Sequence, residues 1–228
     1  MLFWVAATGG LAIAYLIGST PTGYLAGRLL KGIDLREHGS KSTGATNVLR
    51  SVGTWPFFAV LLIDLLKGAA AVAFARLFYP WLYTLPAVMP PTGLGPTALT
   101  PWALCVAGLA AVLGHSRSIW LRFRGGKSAA TGLGVLLALS WPVGLGAAAV
   151  SGVVLAASRI MSLSSMLGTL AAIVLVFGFP EPLPYRLLVI AGGAYVILRH
   201  RANIQRLLAG IEPRLGQASP EAGAEPRT

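Results

Sequence analysis

Residues 2–17, 99–113 and 163–179 contain no charged side chain. A helix crossing a bilayer needs roughly 20 predominantly apolar residues, and runs of this kind recur along the chain. Only 11% of the 228 residues are charged, against about a quarter in an ordinary soluble domain. A soluble globule of this size has too little interior to hide a 55% hydrophobic chain, so lipid must serve as its solvent. The composition therefore predicts an all-α integral membrane protein.

Seven apolar pieces stand out, at about 2–30, 54–79, 99–114, 128–140, 142–158, 163–179 and 185–198. One choice decides the count. Residues 129–157 are uncharged and could form one long tilted helix, giving six spans. Alternatively Trp141-Pro142 marks a turn between two short helices, because proline disfavours helix in the residue before it. Charge favours the turn. With seven spans and the N-terminus outside, all eighteen lysines and arginines except Lys67, Arg76 and Arg186 lie on the inner side, as the positive-inside rule requires. The expected architecture has about seven transmembrane helices, N-terminus outside and C-terminus cytoplasmic, with short helices around a cytoplasm-facing site. The fourth piece is too short for the hydrocarbon core and is expected to stop within the membrane against protein or a cavity. Residues 1–216 read as one domain, and 217–228 (QASPEAGAEPRT) as a disordered cytoplasmic tail. No basic n-region precedes Arg28, so the first piece reads as a retained span rather than a signal peptide.

The net charge of +11 has two readings, basic cytoplasmic loops near anionic lipid or an anionic substrate. Nucleic-acid binding is not expected, since there is no soluble basic domain to carry it. Cys105, the single cysteine, lies in an apolar run and reads as a buried thiol. The three histidines are scattered and no cluster has metal-ligand spacing, so neither metal nor cofactor is expected.

Three polar segments fall on one face. His38–Arg50 (HGSKSTGATNVLR) sets Ser40, Ser42, Thr43, Thr46 and Asn47 among glycines and ends on Arg50. Hydroxyls, an amide and a guanidinium fork suit phosphate oxygens. A solvated loop with a helix cap explains the same residues equally well. Gly114–Gly134 carries Gly125-Gly126-Lys127 directly into an apolar helix, an arrangement that aims backbone N–H groups and a helix dipole at one point. A lysine opposes that dipole unless an anion binds there. Arg199–Gly216 places His200, Asn203 and Leu207 on one helix face. Its Arg206 and Arg214 fit a basic helix lying on headgroups. Asp64 and Lys67, three apart inside the second piece, read as a buried salt bridge.

Together the strings GSKSTGATNVLR, DLLKG, GH followed by FRGGKSAAT, and RHRANIQRLLAGIEPRLG resemble the bacterial acyl-phosphate:glycerol-3-phosphate acyltransferase family, from Gly18 to Gly216. That family has seven spans with the motifs on the cytoplasmic face of the plasma membrane. The resemblance implies transfer of an acyl group from acyl phosphate to the 1-hydroxyl of glycerol 3-phosphate. The products are lysophosphatidate and inorganic phosphate, in the first acylation of phospholipid biosynthesis. It implies Ser40, Arg50, Lys127, His200 and Asn203 as catalytic residues. Ser40, Thr46, Asn47, Arg50, Gly125, Gly126 and Lys127 would bind the substrates or their phosphates. It implies no cofactor and no obligate protein partner, only the two substrates and membrane lipid. Ser42, Ser116-Arg117-Ser118, Ser128 and Ala202 depart from the usual motif residues, so positions 42 and 202 receive no role by analogy. A transporter of phosphate or a phosphorylated metabolite is the rival reading. It fits less well because transporter sites tend to lie near the midplane in paired broken helices.

Overall fold

The computed structural model describes residues 1–88 and 95–217. Those residues form helices and no strand: α1 (Leu2–Ser19), α2 (Thr22–Lys31), α3 (Ala45–Ser51), α4 (Thr54–Leu82), α5 (Pro96–Ser116), α6 (Ala129–Leu139), α7 (Trp141–Ser158), α8 (Met161–Leu175), α9 (Leu183–Arg199) and α10 (Arg201–Leu208). Four stretches are long and apolar enough to cross a membrane: Leu2–Lys31, Thr54–Leu82, Pro96–Leu121 and Trp141–Ser158. The helices α6 and α8 are apolar but shorter. The expected disordered tail falls on residues 218–228, and part of the proline-rich 80–100 segment on 89–94, outside the described residues.

Two breaks set the architecture. The first apolar piece is not one helix but two, because Pro21 drives Thr20 to an extended conformation (φ −50°, ψ 119°). The break frees the Thr20 carbonyl, which accepts a hydrogen bond from Lys67 Nζ at 2.9 Å. The second break lies at Ser140, extended at φ −143° and ψ 91°, so residues 129–157 form two helices and not one. Pro142 then occupies the first turn of α7, where its missing N–H costs nothing. Only 11 residues remain in α6, a rise of about 17 Å against a hydrocarbon core of roughly 30 Å.

Without water to drive helices together, membrane helices associate through close packing at small residues. A Cβ added to Gly68 would strike the Thr131 carbonyl, and one on Gly134 that of Leu65, so α4 and α6 meet backbone to backbone. Gly18 and Gly114 do the same between α1 and α5, against Ala111 and the Tyr15 carbonyl. Hydrogen bonds tie the connecting loops together at one end of the bundle. Ser118 Oγ donates to the Ser19 carbonyl at 2.6 Å, and the Leu215 N–H to the Arg159 carbonyl at 2.7 Å.

Candidate active site

A polar cavity of about 80 Å³ lies where those loops meet. Ser40, Thr46, Asn47 and Arg50 line it from α3 and the loop before it, Lys127 from the glycine loop, and His200 and Asn203 from the α9–α10 turn. Seven of the nine expected site residues thus converge from three separate segments. The other two, Gly125 and Gly126, pack against His115 and do not line the cavity. A Cβ on Gly125 would strike the His115 carbonyl, and one on Gly126 the His115 ring. The Gly126 N–H donates to the His115 carbonyl at 3.2 Å, so it is not offered to a ligand. These glycines permit close approach, and that approach sets the course of the chain into Lys127.

Asn47 organises the first motif. Its amide N–H groups are shared among the carbonyls of Leu35, His38 and Ser42 (2.8–3.1 Å), and its Oδ1 accepts the Ser40 N–H at 3.0 Å. It is 1% exposed. Gly39 has positive φ (+55°), and a Cβ there would strike Asn47 Oδ1, so the loop needs glycine on both counts.

Lys127 Nζ donates to Asn203 Oδ1 at 2.6 Å, and Asn203 Nδ2 donates to Glu212 Oε1 at 2.7 Å. Glu212 also accepts from Ser162 Oγ and Arg206 Nε, each at 2.7 Å. The Asn203 amide orientation follows from having an ammonium on one side and a carboxylate on the other. Burial raises the Glu212 carboxyl pKa, and the bonds from Ser162, Asn203 and Arg206 more than reverse that, leaving it below the usual value. Lys127 makes no ion pair among the described residues. Burial, and then the Arg206 charge, push its ammonium down to about 8, with Glu212 opposing and Arg50 and Arg199 adding to the shift. A cation destabilised by neighbouring cations is a place where an anion binds.

His200 is 3% exposed, and burial pushes its imidazole down to about 4, so the ring is neutral at physiological pH. Its Nδ1 lies 2.8 Å from the Val196 carbonyl, which can only accept, so Nδ1 carries the proton and Nε2 holds the free lone pair.

Two further groups line the cavity. Asp64 accepts from Thr22 Oγ1 at 2.5 Å and pairs with Lys67 Nζ at 2.7 Å, and His115 Nδ1 lies 3.5 Å from the same oxygen. The i, i+3 pair expected from spacing is present, but Lys67 turns to Thr20 while Asp64 faces the cavity. Sequence reasoning missed Glu212 and the tie between Asp64 and His115. The available signal for Glu212 was a lone acid within the basic stretch 199–214. Two of the motif departures have a structural account. Ser128 caps α6 at φ +66°, a conformation that favours glycine, and its hydroxyl donates to the Val112 carbonyl at 2.7 Å. Ala202 is exposed and does not line the cavity.

A second cavity, apolar and about 250 Å³, runs between α6, α7, α8 and α9. It shares Leu61, Ala129, Ala130, Met161 and Ser165 with the polar cavity, so the two lie side by side.

A family model described as glycerol-3-phosphate acyltransferase matches residues 9–210. Glycerol-3-phosphate acyltransferase 2 of Rhizobium johnstonii is 69% identical over 219 residues, 96% of this chain and 100% of that one. A glycerol-3-phosphate acyltransferase of Nostoc sp. is 52% identical over 218 residues, 95% of this chain and 96% of the relative. The crystal structure of PlsY (YgiH), an integral membrane glycerol 3-phosphate acyltransferase, in its glycerol 3-phosphate form superposes with a TM-score of 0.76 at 36% identity. The match covers 92% of this chain and 96% of that one. Its lysophosphatidic acid form gives a TM-score of 0.75 at 34% identity.

Proposed function

The chain belongs to the glycerol-3-phosphate acyltransferase family, and from that premise we propose that it transfers an acyl group from acyl phosphate to the 1-hydroxyl of glycerol 3-phosphate. It is a membrane-embedded acyltransferase, not a transporter. The reading rests above all on the adjacency of the two cavities. A cation-lined polar cavity beside an apolar one matches a reaction whose partners are phosphorylated at one end and, in the donor and product, carry an acyl chain at the other.

Acyl phosphate is a mixed anhydride and already activated, so no covalent enzyme intermediate is needed. The glycerol 1-hydroxyl attacks the acyl carbonyl carbon and the carbon–oxygen bond to phosphate breaks. Inorganic phosphate leaves with the electron pair, and lysophosphatidate forms. Holding two phosphorylated substrates together supplies much of the acceleration. Arg50 and Lys127 offset their repulsion and stabilise charge gathering on the leaving phosphate. Ser40 and Asn203 orient the phosphates beside them. The hydroxyl proton passes to a substrate phosphate oxygen or to His200 Nε2, and we favour the phosphate. His200→Ala is then expected to keep a kcat within about tenfold of wild type. A loss of about 10²–10⁴-fold, the range typical of general-base removal, would assign the proton to His200 instead.

The topology follows the charge. The helices α1, α4, α5, α6, α7, α8 and α9 make seven spans, while α2, α3 and α10 lie with the motifs on the cytoplasmic face of the bacterial inner membrane. Lysophosphatidate feeds phospholipid synthesis there.

Purified protein given palmitoyl phosphate and glycerol 3-phosphate should release phosphate only when both are present. Lysophosphatidate should form in equal amount, and Arg50→Ala should abolish both signals. Turnover with palmitoyl-CoA but not with palmitoyl phosphate would reject the donor.

A further inference from the structure

We propose that Gly132, Gly152 and Gly192 act as graded gauges of the apolar cavity and set which acyl chains the enzyme accepts; this rests on the acyl-transfer reading above.

Glycine in a helix interior is unfavourable relative to alanine and needs a reason. Most of the helical glycines here have one, because a neighbouring element sits where the Cβ would go. Among the glycines lining the apolar cavity, Gly168 is pressed by Ser151, and Gly193 by Ile173 and Thr169. Gly132, Gly152 and Gly192 also line it, yet a Cβ on any of them would meet nothing within 4 Å. None of the three has positive φ. Neither packing nor backbone conformation calls for glycine at these positions. The missing side chains leave open space along the cavity wall, where Gly132 and Gly192 are half-buried and Gly152 is exposed.

The three stand on different helices at different depths. The polar end is marked by Ser128 before α6, Ser158 at the end of α7 and His200 after α9. At about 1.5 Å per residue, Gly132 lies roughly 6 Å below that end, Gly152 roughly 9 Å and Gly192 roughly 12 Å. Further down, the helices close on the buried cluster of Val143, Val176 and Val189. An acyl chain whose carboxyl end sits in the polar cavity would pass Gly132 first and Gly192 last. Bulk at Gly132 therefore obstructs every acyl chain, and bulk at Gly192 obstructs long chains selectively.

The test compares octanoyl and palmitoyl phosphate as donors for wild type, Gly132→Leu, Gly192→Ala and Gly192→Leu. The ratio of the two kcat/KM values is independent of how much of a preparation is folded, so partial misfolding does not obscure it. Gly192→Leu is expected to lower the palmitoyl-to-octanoyl ratio about tenfold or more, the effect of losing room for a methylene or more in an apolar pocket. Gly192→Ala is expected to lower it less, and Gly132→Leu to depress both donors with little change in ratio. The KM for glycerol 3-phosphate should stay near wild type in the Gly192 variants. Binding of octanoyl and palmitoyl lysophosphatidate to the same proteins reads the cavity without turnover and should shift in parallel. An unchanged ratio in Gly192→Leu, or a larger ratio change in Gly132→Leu, overturns the proposal. If acyl phosphates are inert with the wild type, the donor reading fails, and the lysophosphatidate arm still decides the gauges.

Discussion

Replacing Lys127 with alanine is expected to lower kcat/KM for glycerol 3-phosphate by about 10²–10³-fold, the scale seen when one preorganised donor to developing negative charge is removed. Lys127 is suited to this role because its protein surroundings do not satisfy it. It donates to the Asn203 side chain, an uncharged acceptor, while burial and then the charges of Arg206, Arg50 and Arg199 disfavour its own charge and hold its pKa at about 8. A substrate phosphate supplies the missing counter-charge. The sign of the pH dependence follows. Anions bind the protonated lysine, so kcat/KM, which reports the free enzyme, should fall as pH rises through about 8. Bound phosphate favours the charged form, so the corresponding limb in kcat should lie at higher pH. Lys127→Arg keeps a charge that does not titrate and should shift the kcat/KM limb upward, with lower activity because the fork cannot reproduce a point donor. Rates of Lys127→Ala within a few fold of wild type, or an alkaline limb that Lys127→Arg leaves in place, would remove Lys127 from the mechanism.

The sequence exposed most of the site because its chemistry is local. Hydroxyls around glycines, a lysine after two glycines and a histidine three residues before an asparagine can all be read from short strings, and the fold brings these segments to one cavity. It was less informative where a residue's role depends on distant partners. Asn47 reads as a ligand from composition, yet its amide bonds four backbone groups of its own loop. Gly125 and Gly126 read as phosphate-facing, but His115, on the preceding helix, occupies the space their missing side chains leave. Glu212 could not be placed because its partners Ser162, Asn203 and Arg206 come from two other elements. In the fold, Trp141-Pro142 and the distribution of basic residues announced the α6–α7 break. Thr20-Pro21 carried the same proline signal, but the apolar run on both sides concealed it.

Asp64→Leu is expected to destabilise the protein by about 3–5 kcal/mol, the cost of leaving one member of a buried ion pair without the other. Asp64 and Lys67 are 1% and 5% exposed, and α4 offers Lys67 no second carboxylate. The ammonium would keep only the Thr20 carbonyl, and Thr22 Oγ1 would lose its acceptor. A double replacement, Asp64→Leu with Lys67→Met, removes both charges and should regain most of the loss, since apolar pairs often match buried ion pairs in stability. Recovery should stop short of complete. Thr22 Oγ1 would still lack the Asp64 acceptor, at a cost of about 1–3 kcal/mol. Thermal unfolding in detergent of wild type, both single variants (Asp64→Leu and Lys67→Met) and the double would complete the cycle, and a coupling energy near zero between positions 64 and 67 would refute the pair as a brace. The double variant also separates stability from chemistry. Asp64 faces the polar cavity beside His115, so a folded double variant that has lost activity would show that the carboxylate serves the site. A folded and active one would confine Asp64 to joining α4 to the break between α1 and α2. The second outcome is the expected one, because Thr22 and Lys67 already engage the oxygen nearest His115, and that arrangement suits a structural link better than a proton carrier.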